Sequence, residues 1–597
     1  MKTAHIRLFS STATAALLIA FNPATALAQA TADLNISTTE SIASSATLTG
    51  GNDQRLTAGV TGSLIGTNVN INLTRDDLLD DIITGVAPAT NNLLSASASG
   101  NISTASAVLE FAPSTAGDTA AVATLQSVEA NVSATSLGDT NSTLITNQGD
   151  GTRTLTGAAI QDNNDITATA TGNSGTSTIE VASGLDLDQA TAAQANVRID
   201  TLLATDPQSA TDADLLVSSA QEVESATILG GVQVASTNTA VEALDGATVT
   251  IANSDQAASA TGNAASNSIV SSDTTAEITA STAVANLQGL LGAGMQATSE
   301  ISDVVVNSGA VANSTVSLNA NSQTASATGS TSTQSLSLNA SSITGEGLAA
   351  TVGDAGGAPS VQLAADADAV VANVQTLGSS AVQSVVSSND IQSIVGAASE
   401  ATVNSTLEVD GNRQSATTTG LQTSNTLTLA SGAEMSAAGA GASVQAINGL
   451  VSASALGNRI NNTVSSNVND TSVLTTNNQI DASVTGATAT NRLVTTSDTN
   501  NLSLATNVGS VDTNPGADQP LVIAGQVLTN DQAASASTIS ADATGNQIAT
   551  FAGIDATSST VRTDSNTISA SAIANRADNA ISLSFNALTG TISDTGT

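Results

Sequence analysis

The stretch Ala257-Ala258-Ser259-Ala260-Thr261-Gly262-Asn263, continuing into Asn267-Ser268-Ile269-Val270, alternates small and β-branched residues on either side of a Gly-Asn pair. A period of two places successive side chains on opposite faces of an extended strand, and a run of this kind has no 3.6-residue apolar stripe for a helix. Gly and Asn tolerate the positive φ of a tight turn. The expected local structure is therefore strand, corner, strand. The pattern returns at Thr167 to Asn173 with Ser177 to Val181, and at Ala325 to Gly329 with Leu336-Ser337-Leu338. It returns again at Ala416 to Gly420 with Leu427-Thr428-Leu429, and at Ala482 to Gly486 with Leu493-Val494. Weaker relatives begin at Ser95, Ser452, Ala541 and Ser569.

A second motif, an apolar residue, Gln, any one residue and a second apolar residue, precedes each of these units. It is carried by Gln126, Gln221, Gln288, Gln375 and Gln445. Gln221 to Gly262, Gln288 to Gly329 and Gln445 to Gly486 are each 41 residues apart, while Gln375 to Gly420 is 45 and Gln126 to Gly172 is 46. A composition rich in Ala, Ser, Thr and Asn yields isolated matches easily, but not five ordered pairs at nearly constant offset. About five tandem modules follow. Their glutamines are 95, 67, 87 and 70 residues apart, an alternation that points to insertions or extra coils in every second module.

The expected fold is all-β: an elongated, β-helix-like β-solenoid repeat protein, with two to four coils of roughly 20 residues in each module. Two segments break the pattern. Arg75-Asp76-Asp77-Leu78-Leu79-Asp80-Asp81-Ile82-Ile83 has carboxylates at helical spacing and predicts a short N-terminal capping helix, and Asp512 to Pro520 reads as a loop. The expected organisation is a signal at 1–30, a cap with the first coils at 31–115, tandem β-repeat modules at 116–510 and C-terminal repeats at 511–597.

Residues 1–30 read as a secretory signal. Lys2, His5 and Arg7 precede the apolar run Ala13 to Phe21, and Ala26-Leu27-Ala28 or Ala28-Gln29-Ala30 offers a small-residue cleavage site. The run is well short of the ~18 residues of a membrane anchor. Without this segment the chain keeps nine Arg against fifty acids, a formal charge of −41, and has no Lys, His, Cys, Trp or Tyr. That inventory lacks the imidazole or thiol of hydrolytic triads, the usual zinc ligands and the amine of Schiff-base chemistry. Carboxylate chemistry remains, either a glycosidase-like acid pair or oxygen-ligated Ca²⁺. A sugar-cleaving site would also use aromatic platforms, and only Phe111, Phe551 and Phe585 are left. The expectation is a protein that is not an enzyme. The scarcity of cations also excludes nucleic acid as a partner and disfavours anionic membrane surfaces. Disorder is the competing class for such a polar chain, but seven Pro in 597 residues and 40% hydrophobic residues favour regular structure.

Asp76, Asp77, Asp80 and Asp81 form the candidate cation site, with four carboxylates able to offer oxygens to Ca²⁺. The alternative is a solvated acidic face at a helix start. Asp186/Asp188, Asp212/Asp214 and Asp366/Asp368 are less specific Asp-x-Asp pairs, and the sequence holds neither an EF-hand loop nor a Gly-Gly-x-Gly-x-Asp array. Asn173, Asn263, Asn458 and Asn546 either follow turn preference or stack as amide ladders when coils align.

Gly262-Asn263-Ala264 with Asn267, and Gly545-Asn546-Gln547, give the repeat region a resemblance to repeat-built surface adhesins of Gram-negative bacteria, the holdfast-anchor and curlin-type groups. The modules are longer and less even than curlin repeats. The resemblance implies a secreted or outer-surface protein that anchors or attaches a cell, with cell-envelope or extracellular-matrix components as partners, polysaccharide among them. Self-association into a curli-like extracellular fibre is the alternative it carries.

Overall fold

The computed structural model describes residues 32–585, apart from 39–46, 76–80, 84–85, 110–118, 148–152, 182–192, 200–207, 273, 276, 279–280, 345–349, 355–362, 397–400, 498–508, 513–521 and 554. Among the described residues there is no helix, and strands form five sheets. Four sheets are built from parallel pairs; the fifth, of seven strands, is antiparallel.

The parallel registers define the architecture. In residues 215–278 the chain runs through Leu215–Glu224, Thr227–Gln233, Ser236–Asp245, Thr248–Ala252 and Asp255–Ser271. Each of these pairs in register with its equivalent 67 residues later, for example Gln221 with Gln288 and Asn263 with Ser330. The same pairing links seven successive turns of chain, here rungs 1 to 7, at 47–109, 119–181, 215–278, 282–343, 369–435, 439–497 and 526–585. Long all-parallel sheets stacked in this way are consistent with a β-solenoid. One module is one rung and not two to four coils of about 20 residues. The short period expected from local alternation fails because in residues 215–278 five strands joined by two-residue corners complete a single turn.

The corners are where the backbone enters the left-handed region. Asn163 (φ 54°) and Asn253 (φ 51°) stand before the long fifth strand, and Gly138 (φ 69°), Val234 (φ 55°) and Ile301 (φ 51°) stand between the second and third. The Gly-Asn pair of the opening motif is no corner. Gly262 and Asn263 lie inside the continuous strand Asp255–Ser271, where the in/out alternation slips by one residue so that both are buried. Glycine is required there by close approach: a Cβ on Gly262 would lie 2.5 Å from the Gly329 carbonyl oxygen of the next rung. Gly100, Gly172, Gly262, Gly329, Gly420 and Gly486 occupy this column through rungs 1 to 6.

The first strand of each of rungs 2 to 6 is buried on both faces over most of its length. Leu215 and Val217 pack with Ile179, Ile269 and Leu336 from the long fifth strands. Leu216 and Ala220 pack instead with Ala213, Leu363, Ala365 and Val511, beneath the antiparallel sheet. That sheet is made from Ala32–Thr38 and three pairs of strands: Ala193–Ile199 with Gln208–Ala213, Ala350–Asp354 with Ala364–Ala367, and Gly509–Asp512 with Val522–Ala524. The insertions expected in every second module are these paired strands, which fall between rungs 2 and 3, 4 and 5, and 6 and 7. Strands in a sheet lie ~4.8 Å apart, so a pair fills the height of two rungs. An insertion in every rung would have no room.

The segment expected as a capping helix is strand where it is described. Arg75 ends Asn68–Arg75 and pairs with Asn147, and Asp81–Ile83 pairs with Arg153–Leu155 of the next rung. At Arg75 and Asp81–Ile83 pairing with the next rung overrides the helical spacing, which is too short to nucleate a helix unaided, and Asp76 to Asp80 lie outside the described residues. Asp512 closes a strand, and the rest of the expected loop, 513–520, lies outside the described residues.

Candidate functional site

The glutamines that the sequence singles out form one continuous column. Gln126 Nε2 donates to Gln54 Oε1 (2.9 Å), Gln221 to Gln126 (2.7 Å), Gln288 to Gln221 (2.8 Å), Gln375 to Gln288 (2.7 Å), Gln445 to Gln375 (2.7 Å) and Gln532 to Gln445 (2.7 Å). Each Nε2 also reaches across the interior to a backbone carbonyl of the fifth strand: Gln221 to Ala264, Gln288 to Thr331, Gln375 to Gln422 and Gln445 to Thr488. Those carbonyls lie two residues beyond the column glycines, so the near-constant Gln-to-Gly offset is the path length between two ends of one hydrogen bond. Rungs with larger offsets carry longer connections, 148–152 in rung 2 and 397–400 in rung 5.

Gln54 and Gln532 escaped the sequence reading because the residue before each is Asp in place of an apolar one. Their shared Asn-Asp-Gln triplet was the available signal. With them the intervals read 72, 95, 67, 87, 70 and 87 residues, short and long in strict alternation.

The recurrent asparagines do stack, in two separate places. Asn173 Nδ2 donates to Asn263 Oδ1 (2.9 Å) in the bulge column, and Asn458 Nδ2 donates to Asn546 Oδ1 (3.2 Å) at a corner. A further corner column runs Asn321, Asn412, Asn478, Asn566; in each of the first three, backbone N–H and Nδ2 both donate to the Oδ1 of the next rung. In this corner column the amide donors of Asn321, Asn412 and Asn478 are met by the next rung and by a backbone carbonyl, without water.

Of the expected cation ligands, Asp76, Asp77 and Asp80 lie outside the described residues, and Asp81 is in the strand Asp81–Ile83. Among the described residues no group of three or more acids is placed to hold a metal ion. Asp186 and Asp188 are also outside the described residues. Of the other two pairs, the Asp212 side chain lies outside the described residues, and the charge of Asp366 reaches Asp368. Asp214 is buried and accepts from Ser281 N (2.8 Å) and Ser281 Oγ (2.9 Å), and Asp368, likewise buried, accepts from Ala438 N (2.7 Å). Asp366 is exposed.

The carboxylate environment departs most from water at Asp303. It stands in register with Asp390, which stands in register with Arg459. Arg459 grips Asp390 through Nε (2.7 Å) and Nη2 (2.5 Å). Burial first, then the neighbouring Asp390 charge, pushes Asp303 up to about 6, while Arg459 pulls in the other direction. Asp165, Asp214, Glu224, Glu300, Asp366 and Asp368 are pushed upward as well, burial being the first cause in each. Asp214 and Asp368 share a column with Ser281 between them, and the charge of Asp366 adds to the rise at Asp368. Arg413 is the partner of Asp481 (3.1 Å), with Ser415 Oγ completing the carboxylate (2.9 Å).

No helix among the described residues is long and apolar enough to cross a membrane. The chain matches no known family model, no curated protein and no solved structure.

Proposed function

We propose that this chain is an exported, non-catalytic β-solenoid that works as a rigid structural or adhesive element at a bacterial cell surface. The observation that carries the reading is the seven-rung polar stack. Its functional-looking residues, the Gln and Asn columns, are used up in holding one rung to the next. Acids that perturb one another, such as Asp366 with Asp368 and Asp303 with Asp390, are neighbours in sequence or in one ladder, whereas glycoside cleavage uses a pair facing across a cleft. The side chains turned outward are mostly Ser, Thr, Asn and acids, a surface suited to contact with hydrated polymers of the envelope or matrix. Export rests on the signal-like residues 1–30.

Labelling of intact cells with gold-conjugated antibody, beside immunoblots of the spent medium, tests the location. Label on the cell exterior or protein in the medium is the expected result, and protein confined to the cytoplasm overturns it. Binding of the purified chain to envelope polysaccharide, against a matched neutral glucan, tests attachment. The open apolar edges at the two ends of the stack favour a second reading, a self-assembling fibre unit. Among the described residues the core-facing Leu56, Val60, Leu64 and Val69 at one end, and Ile539 and Ile548 at the other, are only partly buried against the core.

A further inference from the structure

We infer that the two ends of the stack are built to refuse each other, so that the chain is a rod of fixed rung number and not a head-to-tail fibre unit. The inference rests on the β-solenoid reading and decides between its two forms. An open parallel edge with exposed aliphatic side chains is a template for pairing with another copy. The two edges here would otherwise match. Rung 7 presents Asn530, Gln532 and Asn566 in the columns where rung 1 presents Asn52, Gln54 and Asn92.

Three features spoil that match. The column of Leu125, Ala220, Leu287, Val374 and Val444 is apolar and buried through the five inner rungs. At its two ends it carries Asp53 and Asp531. A copy docked in register would bring Asp531 of one chain beside Asp53 of the next at one strand spacing, ~4.8 Å, in a column that is elsewhere dry. Like charges directly opposite destabilise a sheet, and desolvating both raises the cost.

The glycine column ends in the same way. Gly100, Gly172, Gly262 and Gly420 each leave room for a carbonyl oxygen of the following rung that would lie 2.5 to 2.6 Å from a Cβ. Rung 7 has Ala574 in this position, and Gly486 before it receives the Ala574 carbonyl. The Ala574 methyl occupies the place that an incoming Gly100 carbonyl would need. At the other edge, Asn91 N–H donates to Asp162 O in rung 2. Counting back by the two-residue period, Pro88 of the edge strand Val86–Thr90 turns its nitrogen to the open side, where it has no proton to give an incoming strand.

The test uses the purified full chain, followed by sedimentation velocity and negative-stain electron microscopy over several days in 0.05 M and 1 M NaCl. The wild type is expected to remain a single 58.2 kDa species at both salts. Salt at 1 M, where the Debye length is ~3 Å, weakens the charge obstacle while the two exposed edges approach, and leaves the methyl and the single ladder bond that Pro88 forfeits. Ala574→Gly is therefore expected to form end-to-end rods only at high salt, and Asp53→Asn with Asp531→Asn and Ala574→Gly at both. Rods whose lengths are integer multiples of one particle support the inference. Wild-type end-to-end rods, or a triple variant with a wild-type circular dichroism spectrum that stays monomeric, overturn it. Ala574→Gly alone removes only a methyl from an exposed edge, so the high-salt comparison stands even where the triple variant folds poorly. Random-coil wild-type protein would instead sink the β-solenoid reading on which the inference rests.

Discussion

Gln288 donates to Gln221 and to the Thr331 carbonyl while accepting from Gln375. Replacing it with Leu keeps similar bulk but strips partners from three buried groups at once. Each such loss costs roughly 1–3 kcal/mol when the group stays buried. Gln288→Leu is therefore expected to lower stability by ~3 kcal/mol or more in urea unfolding, against near-neutral behaviour for a substitution at exposed Thr333, two residues beyond the same carbonyl. Ile301 offers a change of opposite sign. It holds φ 51° at an exposed corner where rungs 1, 2, 6 and 7 have Gly66, Gly138, Gly457 and Gly545, all at φ between 62° and 70°. A β-branched residue in that region costs ~1–2 kcal/mol, offset in part by the greater chain entropy of glycine when unfolded. Ile301→Gly should raise stability by about 0.5–1 kcal/mol, and a lower urea midpoint would refute the strain. The amide columns were legible as spacing in the sequence, but their partners were not. Gln221 bonds Gln126 across 95 residues and Gln288 across 67, so no fixed period marks them as neighbours.

At the scale of elements, local alternation announced strands correctly and misplaced the corners. Gly262-Asn263 looks like a turn because both residues tolerate positive φ, yet the true corners include Val234, Ile301 and Ala320, which local preference would never choose. What sets those corners is the column: each turn residue is stacked on an equivalent above and below and is held there by the ladders on either side. The described ends of the expected capping helix are strand for a related reason, since pairing of Arg75 and of Asp81–Ile83 with the next rung outweighs the helical spacing there. The alternating module length was legible, and its meaning comes from geometry, because one strand pair spans the height of two rungs. Excising 346–362 should therefore remove the Ala350–Asp354 strand while leaving the ladders of rungs 4 and 5 in register. Circular dichroism should stay strand-like, and hydrogen exchange should quicken in Ala369 to Leu377, whose Val370, Ala372 and Val374 lose their cover. Exchange in Arg413–Met435 should be unchanged. Global collapse of protection would show instead that the antiparallel sheet holds the stack together.

The whole molecule carries a formal charge of −39 with its acids stacked in columns, and this gives its stability an unusual dependence on pH. Asp303 has its pKa raised from 3.8 to about 6, so between those values the folded chain binds more protons than the unfolded one. Stability must then fall as pH rises through that window, the reverse of the usual salt-bridged carboxylate. A shift of this size corresponds to ~3 kcal/mol of differential interaction at Asp303. The upward direction at Asp165, Asp214, Glu224, Glu300, Asp366 and Asp368 acts with the same sign. Relief of repulsion among the surface acids adds to it as protons bind. The urea midpoint is therefore expected to be higher near pH 5 than near pH 7.5. Asp303→Asn removes one titrating group from the Asp390 and Arg459 column without changing its shape. It should raise the midpoint at pH 7.5 and flatten the profile between pH 4 and 6, with little effect below pH 4, where Asp303 is protonated in both states. A midpoint that climbs from pH 5 to 7.5 in the wild type, or an Asn variant with an unaltered profile, would show that Asp303 is solvated more fully than its neighbours allow.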